Sequence, residues 1–223
     1  MVTEKFTNIE PEKQDRVITA ALKEFSEHGY EKASTNRIVK QAGIGKGMLF
    51  YYFKNKKELY YYLIDYSIDY VTNEYLGHIN ENVVDFIERY RQIAQIKMKK
   101  YAENPHVFNF LGSIYINKDV KLPQELQKRF IDAREYGYRV LFRNVDTSLF
   151  RQDIDSDKIL KLIYWTLEGY EQEILKKLEG QKLSQIDYEP YWDELDQYLD
   201  ILKKVYYRQE GGKNDHFDSR QYY

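Results

Sequence analysis

The chain has 223 residues, 43% hydrophobic and 31% charged, with a net charge of −2. It is long enough for a well-buried core, it holds no apolar run near ~18 residues, so a helical membrane span is excluded, and four prolines and 11 glycines are too few to punctuate a many-stranded fold. Cysteine is absent, which excludes disulfides and thiolate metal sites and fits a reducing cytoplasm, and Met1–Glu10 lacks the basic and apolar regions of a secretory signal.

Pro11 suits a first helical position, and Val17, Ile18, Ala21, Leu22 and Phe25 recur at helical spacing up to His28, with Gly29 as a stop. Ser34-Thr35-Asn36 supplies N-cap types for a short second helix carrying Ile38, Val39 and Ala42. Gly43-Ile44-Gly45 is a tight turn, and Lys46 to Phe53 forms a short third helix. Two short helices joined by a glycine-containing turn are the helix-turn-helix pattern. A fourth helix is predicted from Lys56 to Tyr75, broken at Gly77, and a fifth from Glu81 to Glu103, with Val84, Ile87, Tyr90, Ala94 and Tyr101 on one stripe. Asn104-Pro105 opens a short apolar helix, Leu122-Pro123 one to about Asn144, and Asp155-Ser156-Asp157 caps one over Lys158–Glu179 that Gly180 stops. Glu189-Pro190 opens the last helix, Tyr191–Arg208, and the polar, aperiodic stretch Gln209–Tyr223 reads as a disordered tail. The expectation is an all-α protein of about nine helices: a three-helix DNA-binding domain over 1–55, a larger helical domain over 56–208, and a tail over 209–223.

Charge is distributed unevenly. Residues 1–60 hold eleven Lys and Arg against eight Asp and Glu, whereas the remainder is acidic. From Lys32 to Lys57 there are seven basic residues and no acid, the electrostatic footprint expected for a polyanion. Inside that window the third helix reads Lys46-Gly47-Met48-Leu49-Phe50-Tyr51-Tyr52-Phe53. Leu49 and Phe53, four apart, share a face and can pack inward. That leaves basic and aromatic surface outward on a short helix, which a DNA major groove would explain: Lys46 and the helix N-terminus meet phosphates or base edges, and tyrosine hydroxyls bond phosphates.

The run from Thr35 through Ile38-Val39, Ala42-Gly43-Ile44-Gly45-Lys46-Gly47, Leu49-Phe50-Tyr51-Tyr52-Phe53 and Lys57-Glu58 to Leu59 resembles, without gaps, the N-terminal signature of TetR/AcrR regulators, T-x-x-I-A-x-x-A-G-V-S-x-G-x-L-Y-x-Y/H-F-x-x-K-E-x-L. Ala20-Ala21, Phe25 and Gly29-Tyr30 fit upstream, so the resemblance covers about residues 11–65. It implies a sequence-specific regulator, a repressor released from its operator by a small molecule, with Thr35, Lys46, Gly47, Met48, Tyr51, Tyr52 and Lys56 contacting DNA. Three departures stand out. Gly45 replaces the usual capping Ser, Met48 stands where a small or polar base-reading residue is common and offers apolar contact to a thymine methyl, and Phe50 replaces a phosphate-bonding Tyr.

The resemblance further implies a homodimer on a near-palindromic operator, held by the last two helices. The penultimate helix is apolar on several sides, which requires burial on several sides, and the interface residues expected are Ile159, Ile163, Leu167, Trp192, Leu195, Leu199, Leu202 and Tyr206. An effector pocket is implied within the fourth to eighth helices. Its expected lining is Tyr66, Tyr70, Tyr90, Tyr101, Phe108, Tyr115, Tyr138, Phe142 and Trp165, with Arg134 and Glu168 supplying charge, which suits an apolar or aromatic ligand.

No enzyme is expected, and no cofactor or metal. His28, His78, His106 and His216 are scattered, no G-x-S-x-G or P-loop occurs, and Asp65 and Asp69, though placed to share a helix face, lack the Glu-x-x-His partners of a carboxylate-bridged metal bundle. The alternative is a helical adaptor of the same fold that binds protein rather than DNA.

Overall fold

The structure, a computed structural model, describes residues 4–117, 122–179 and 181–208, so the expected stop at Gly180 and the tail Gln209–Tyr223 lie outside the described residues. Ten α-helices follow one another among them: α1 (Glu4–Thr7), α2 (Pro11–Lys32), α3 (Thr35–Ala42), α4 (Lys46–Tyr52), α5 (Lys56–Tyr70), α6 (Phe86–Glu103), α7 (Pro105–Asn117), α8 (Gln124–Phe142), α9 (Ser156–Leu178) and α10 (Glu189–Tyr206). The additional helix is α1, a stretch too short to carry a period.

Local chemistry sets the ends. Ser34, Asn55, Asp85 and Asp155 cap α3, α5, α6 and α9 with side-chain oxygens, satisfying N–H groups that a helix start leaves orphaned. Gly29 adopts φ 66° and ψ 172°, a region essentially reserved for glycine. There α2 breaks, and only a short turn continues to Lys32. Gly43, at φ 66° and ψ 36°, is the left-handed cap that ends α3.

Two boundaries differ from the sequence reading. Helix α5 does not run straight to Tyr75; it passes at Tyr70 into a π-helical turn, Val71–Tyr75, and then a 3₁₀ turn, Leu76–His78. Helix α6 starts at Phe86 rather than Glu81, because Asp85 accepts the N–H groups of Ile87 (3.0 Å) and Glu88 (3.2 Å), and this leaves Val84 exposed in the preceding loop.

The packing does not divide at residue 55. Phe6, Leu22, Phe25, Ile38 and Leu49 from the first four helices, with Phe53 just after α4, share one core with Leu59, Leu63 and Ile64 of α5, Val107 and Phe110 of α7 and Leu126 of α8. Helix α5 is thus the common wall of the N-terminal head and the body behind it. On its other side Arg129 of α8 clasps both Asp65 and Asp69, so the two carboxylates that share a face there are ligands of an arginine. A second core joins α6, α9 and α10 through Phe86, Ile87, Ile159, Ile163, Leu167, Leu195, Leu199 and Leu202. The chain end closes on it: Tyr207 pairs with Phe150 as an isolated bridge, and its hydroxyl donates to Asp85 Oδ1 (2.7 Å) while accepting from the N–H of Ile87 (3.1 Å).

Candidate nucleic-acid interface and core cavity

Helix α4 is seven residues long, and its seating decides what faces outward. Leu49, Tyr52 and, just beyond the helix, Phe53 are buried; Tyr52 and Phe53 stack around Phe6 with ring centroids 5.5 and 4.7 Å away. Lys46, Gly47, Met48 and Tyr51 are exposed, Tyr51 at 58%. A side chain at Gly47 would meet nothing within 4 Å, so the backbone there is open to close approach. Thr35, at the start of α3, is half-buried. These five residues leave basic, apolar and hydroxyl-bearing groups together on the head.

Two of the expected contact residues sit elsewhere. Tyr52 is core, because a seven-residue helix can bury only one face and Phe6 pulls that face round to include it. Lys56 turns back on the protein: its Nζ donates to the carbonyls of Tyr30 (2.8 Å), Glu31 (3.2 Å) and Ala33 (3.3 Å) and stands 4.7 Å from the Tyr30 ring centroid. It neutralises the C-terminal end of α2, where carbonyls lack intrahelical partners.

Arg37, part of the acid-free window in sequence, also has a partner in space. Glu24 of α2 is almost wholly buried; Arg37 Nε lies 2.9 Å from both of its oxygens, and the Ser34 N–H donates to it at 2.7 Å. Burial pushes the Glu24 carboxyl up, but the Arg37 and Ser34 hydrogen bonds outweigh this and hold it below its ordinary value of 4.5. A carboxyl depressed in the folded state contributes stability above its unfolded pKa and loses it as pH falls through the folded one. Glu24→Gln is therefore expected to lower unfolding stability by about 1–2 kcal/mol at pH 7. The gap to the parent should close below pH 4.5, as denaturant midpoints at a series of pH values would register; a gap independent of pH would sink the assignment.

Behind the head, a cavity of about 200 Å³ opens between the π turn, α6, α8, α9 and α10. Its wall combines Tyr75, Leu76, Ile79, Tyr90, Ile93, Ala94, Gly137, Leu141 and Trp192 with the ionisable side chains of Lys97 and Glu171. Burial, with the Glu171 carboxylate nearby, holds the Tyr75 and Tyr90 phenols above their usual range. Of the lining residues read from the sequence, Tyr90 is on this wall. Tyr115, Tyr138 and Trp165 are exposed, and Arg134 reaches out to within 3.9 Å of Glu168. Tyr66 packs beside Tyr62 in the head core, and Tyr70 and Tyr101 pack on Phe108. Phe142 lies between Phe86 and Tyr164. The π turn and the register of α6 select which residues line this cavity, and neither is a pattern that periodicity reveals.

The structure also places the expected interface residues within the protomer. Ile159, Ile163, Leu167, Leu195, Leu199 and Leu202 are the internal seam between α9 and α10, with Tyr206 packed against it, and Trp192 belongs to the cavity. The apolar groups left exposed on these helices are Leu162, Trp165, Tyr198, Ile201 and Val205.

Comparison with known proteins places this geometry. Residues 17–63 match the family described as bacterial regulatory proteins, tetR family. The chain is 34% identical over 164 residues to an HTH-type transcriptional regulator of Staphylococcus aureus (strain MRSA252), spanning 63% of this chain and 89% of that protein. A second such regulator, from strain USA300, is 34% identical over 87 residues, 39% of this chain and 44% of the relative. A TetR family transcriptional regulator from Chloroflexus aurantiacus has the same fold, with a TM-score of 0.62 at 24% identity, covering 94% of this chain and all of the other. The fatty acid degradation regulator FadR from Bacillus halodurans aligns with a TM-score of 0.52 at 20% identity over 85% of this chain and 97% of its own.

Proposed function

We propose that this chain, which belongs to the TetR family of bacterial regulatory proteins and is a DNA-binding transcriptional regulator, reads its operator with Lys46, Gly47, Met48, Tyr51 and Thr35 and is released by a small molecule bound in the cavity behind the head. The observation that carries the reading is the outward face of α4. A basic, apolar and hydroxyl-bearing surface on a helix too short to need it for folding is accounted for by a major groove. Tyr52 and Lys56 are set aside as contacts, since one is core and the other is held by carbonyls of α2. No observation favours the adaptor alternative.

The functional unit is a homodimer. Two-fold symmetry sets two copies of α4 about 34–36 Å apart, one turn of DNA, on a near-palindromic site. The self-complementary patch is the exposed apolar face of α9 and α10, namely Leu162, Trp165, Tyr198, Ile201 and Val205; a side chain added at Gly169, one turn beyond Trp165, would meet nothing, which leaves room for a facing helix. The division of labour is a DNA-binding head over 1–55 and a ligand-binding, dimerising body over 56–208, with α5 shared between them. The protein works in the cytoplasm, and no described helix is long and apolar enough to cross a membrane.

The effector is a compact, largely apolar or aromatic molecule. A cavity of about 150 Å³ accommodates benzene, so 200 Å³ suits a single substituted ring, met by Tyr75, Tyr90 and Trp192. It acts by preferring one spacing of the two heads, and its leverage equals its differential affinity for the two spacings. The Arg129 clasp on Asp65 and Asp69 is the route by which a shift of α8 moves α5.

Fluorescence anisotropy with duplex from the gene's upstream region, against scrambled duplex and across a salt series, tests the DNA contacts. Tight, selective binding that falls steeply with salt is expected, with a loss of about tenfold or more in Lys46→Ala and in Tyr51→Ala. Parent-like affinity in both variants would remove α4 as the reading element.

A further inference from the structure

The segment ahead of α2 is fastened to the head at two places. Phe6 is completely buried, its ring 4.7 Å from Phe53 and 5.5 Å from both Tyr52 and Tyr62. Gln14 of α2 donates its side-chain N–H to the carbonyls of Ile9 (2.8 Å) and Thr7 (3.2 Å), closing the turn that joins α1 to α2. Helix α1 is therefore packed against α4 by its own aromatic side chain.

That anchorage fixes the residue before it. Lys5 is exposed, and its Nζ stands 4.2 Å from the centroid of the Tyr51 ring. Tyr51 is the ring that α4 turns outward, on the face that also carries Lys46, Gly47 and Met48. Lys5 has no ion pair among the described residues, whereas in the basic window Arg37 pairs with Glu24 and Lys56 donates to carbonyls at the end of α2. An ammonium resting on an aromatic face keeps N–H donors for an anion on its open side. The fold thus removes two cations from the DNA side of the head and brings in another from outside the helix-turn-helix.

We propose that Lys5 is a DNA-backbone contact, held beside α4 by the Phe6 anchor and positioned by the Tyr51 ring, with a phosphate oxygen of the duplex as its ligand. The inference rests on the reading of α4 as the DNA-facing helix and adds to it a residue from outside the helix-turn-helix. A phosphate contact carries no sequence information, so its loss should weaken matched and scrambled duplex alike. A base contact such as that proposed for Met48 should separate the two.

The test uses the full chain as parent, Lys5→Ala, Lys5→Arg and Lys46→Ala, with anisotropy on both duplexes across a salt series and thermal melting of each protein. Each neutralised phosphate steepens the dependence of log affinity on log salt by ~0.9 for duplex DNA. Lys5→Ala, which removes one such contact from each protomer of the dimer, is expected to lower that slope by about two and to weaken both duplexes by a similar factor, with melting unchanged. Lys5→Arg should keep the parent slope. Parent-like slope and affinity in Lys5→Ala, with Lys46→Ala impaired, would overturn the Lys5 contact and leave the role of α4 standing. Binding by the parent that is absent or insensitive to salt would overturn both together. A lowered melting temperature in Lys5→Ala with an unchanged slope would make Lys5 a structural group of α1 and overturn the proposal as well.

Discussion

Replacing Trp165 by Glu is expected to leave each protomer folded, to abolish the dimer, and to lower operator affinity by about two orders of magnitude or more. The ring is 60% exposed and sits with Leu162 on the side of α9 that faces away from its own core, so a charge there costs the isolated protomer little. Across a two-fold axis the same carboxylate would be desolvated against a copy of itself. Loss of the second head removes the intramolecular gain of two linked sites, which is worth about 10²–10⁴ in affinity. Sedimentation equilibrium and anisotropy on one preparation read both effects, with far-UV circular dichroism as the check on folding. Ile163→Glu supplies the contrast: on the opposite side of α9, fully buried among Ile159, Leu195 and Leu199, it should unfold the protomer instead. A dimer that survives Trp165→Glu with parent affinity for DNA would move the interface off this face.

Arg89→Met should cost the fold about 3 kcal/mol or more. The Arg89 side chain is completely buried and forms no ion pair among the described residues. Its guanidinium donates instead to carbonyl oxygens of Val83 (2.7 Å), Val140 (3.0 Å), Leu141 (3.2 Å), Glu81 (3.2 Å) and Arg143. Three of these belong to the C-terminal end of α8, where carbonyls have no partner within the helix and the helix dipole favours a cation. Arg89 is therefore the device that stops α8 and joins it to the start of α6. A Met of similar length fills the space but strands several buried acceptors, at about 1–3 kcal/mol for each group left unsatisfied. Lys is no substitute, because an ammonium cannot present the planar fork of donors that reaches all of these oxygens. Urea unfolding at constant slope measures the loss; a Met variant within 1 kcal/mol of the parent would mean that water replaces the guanidinium. Tyr90 lies next to Arg89, and Gly137 and Leu141 lie near the same end of α8. The cavity wall they share is expected to lose effector response in any Arg89 variant that still folds.

The helix-turn-helix was legible in the sequence because its determinants are local. A capping Ser34, a left-handed Gly43 and a fixed spacing from Thr35 to Leu59 act over a few residues each, and short-range sterics and hydrogen bonds do not depend on the rest of the chain. The same holds for the break at Gly29 and for the starts of α9 and α10, where Asp155 and Pro190 mark the ends directly. The all-helical class followed from periodicity and from the scarcity of breakers. The surplus of apolar residues on α9 was also visible, and with it the need for a second surface.

What the sequence left undetermined were choices between chemically equivalent neighbours. Tyr51 and Tyr52 are adjacent and identical, and only Phe6, from a segment with no period of its own, decides that one is core and the other faces outward. Lys56 and Arg37 belonged to a basic window until Tyr30, Glu31, Ala33 and Glu24 came within reach of them. On α9, Ile163 and Trp165 have equal claim to an interface by hydrophobicity, and the approach of α10 settles which of them is buried. Sequence by itself determined the helices, their caps and the motif, because those arise from interactions between residues close along the chain. Tertiary structure alone decided which side of each helix is inside, which cations remain free and which rings line the cavity, because each of those is fixed by a partner distant in sequence.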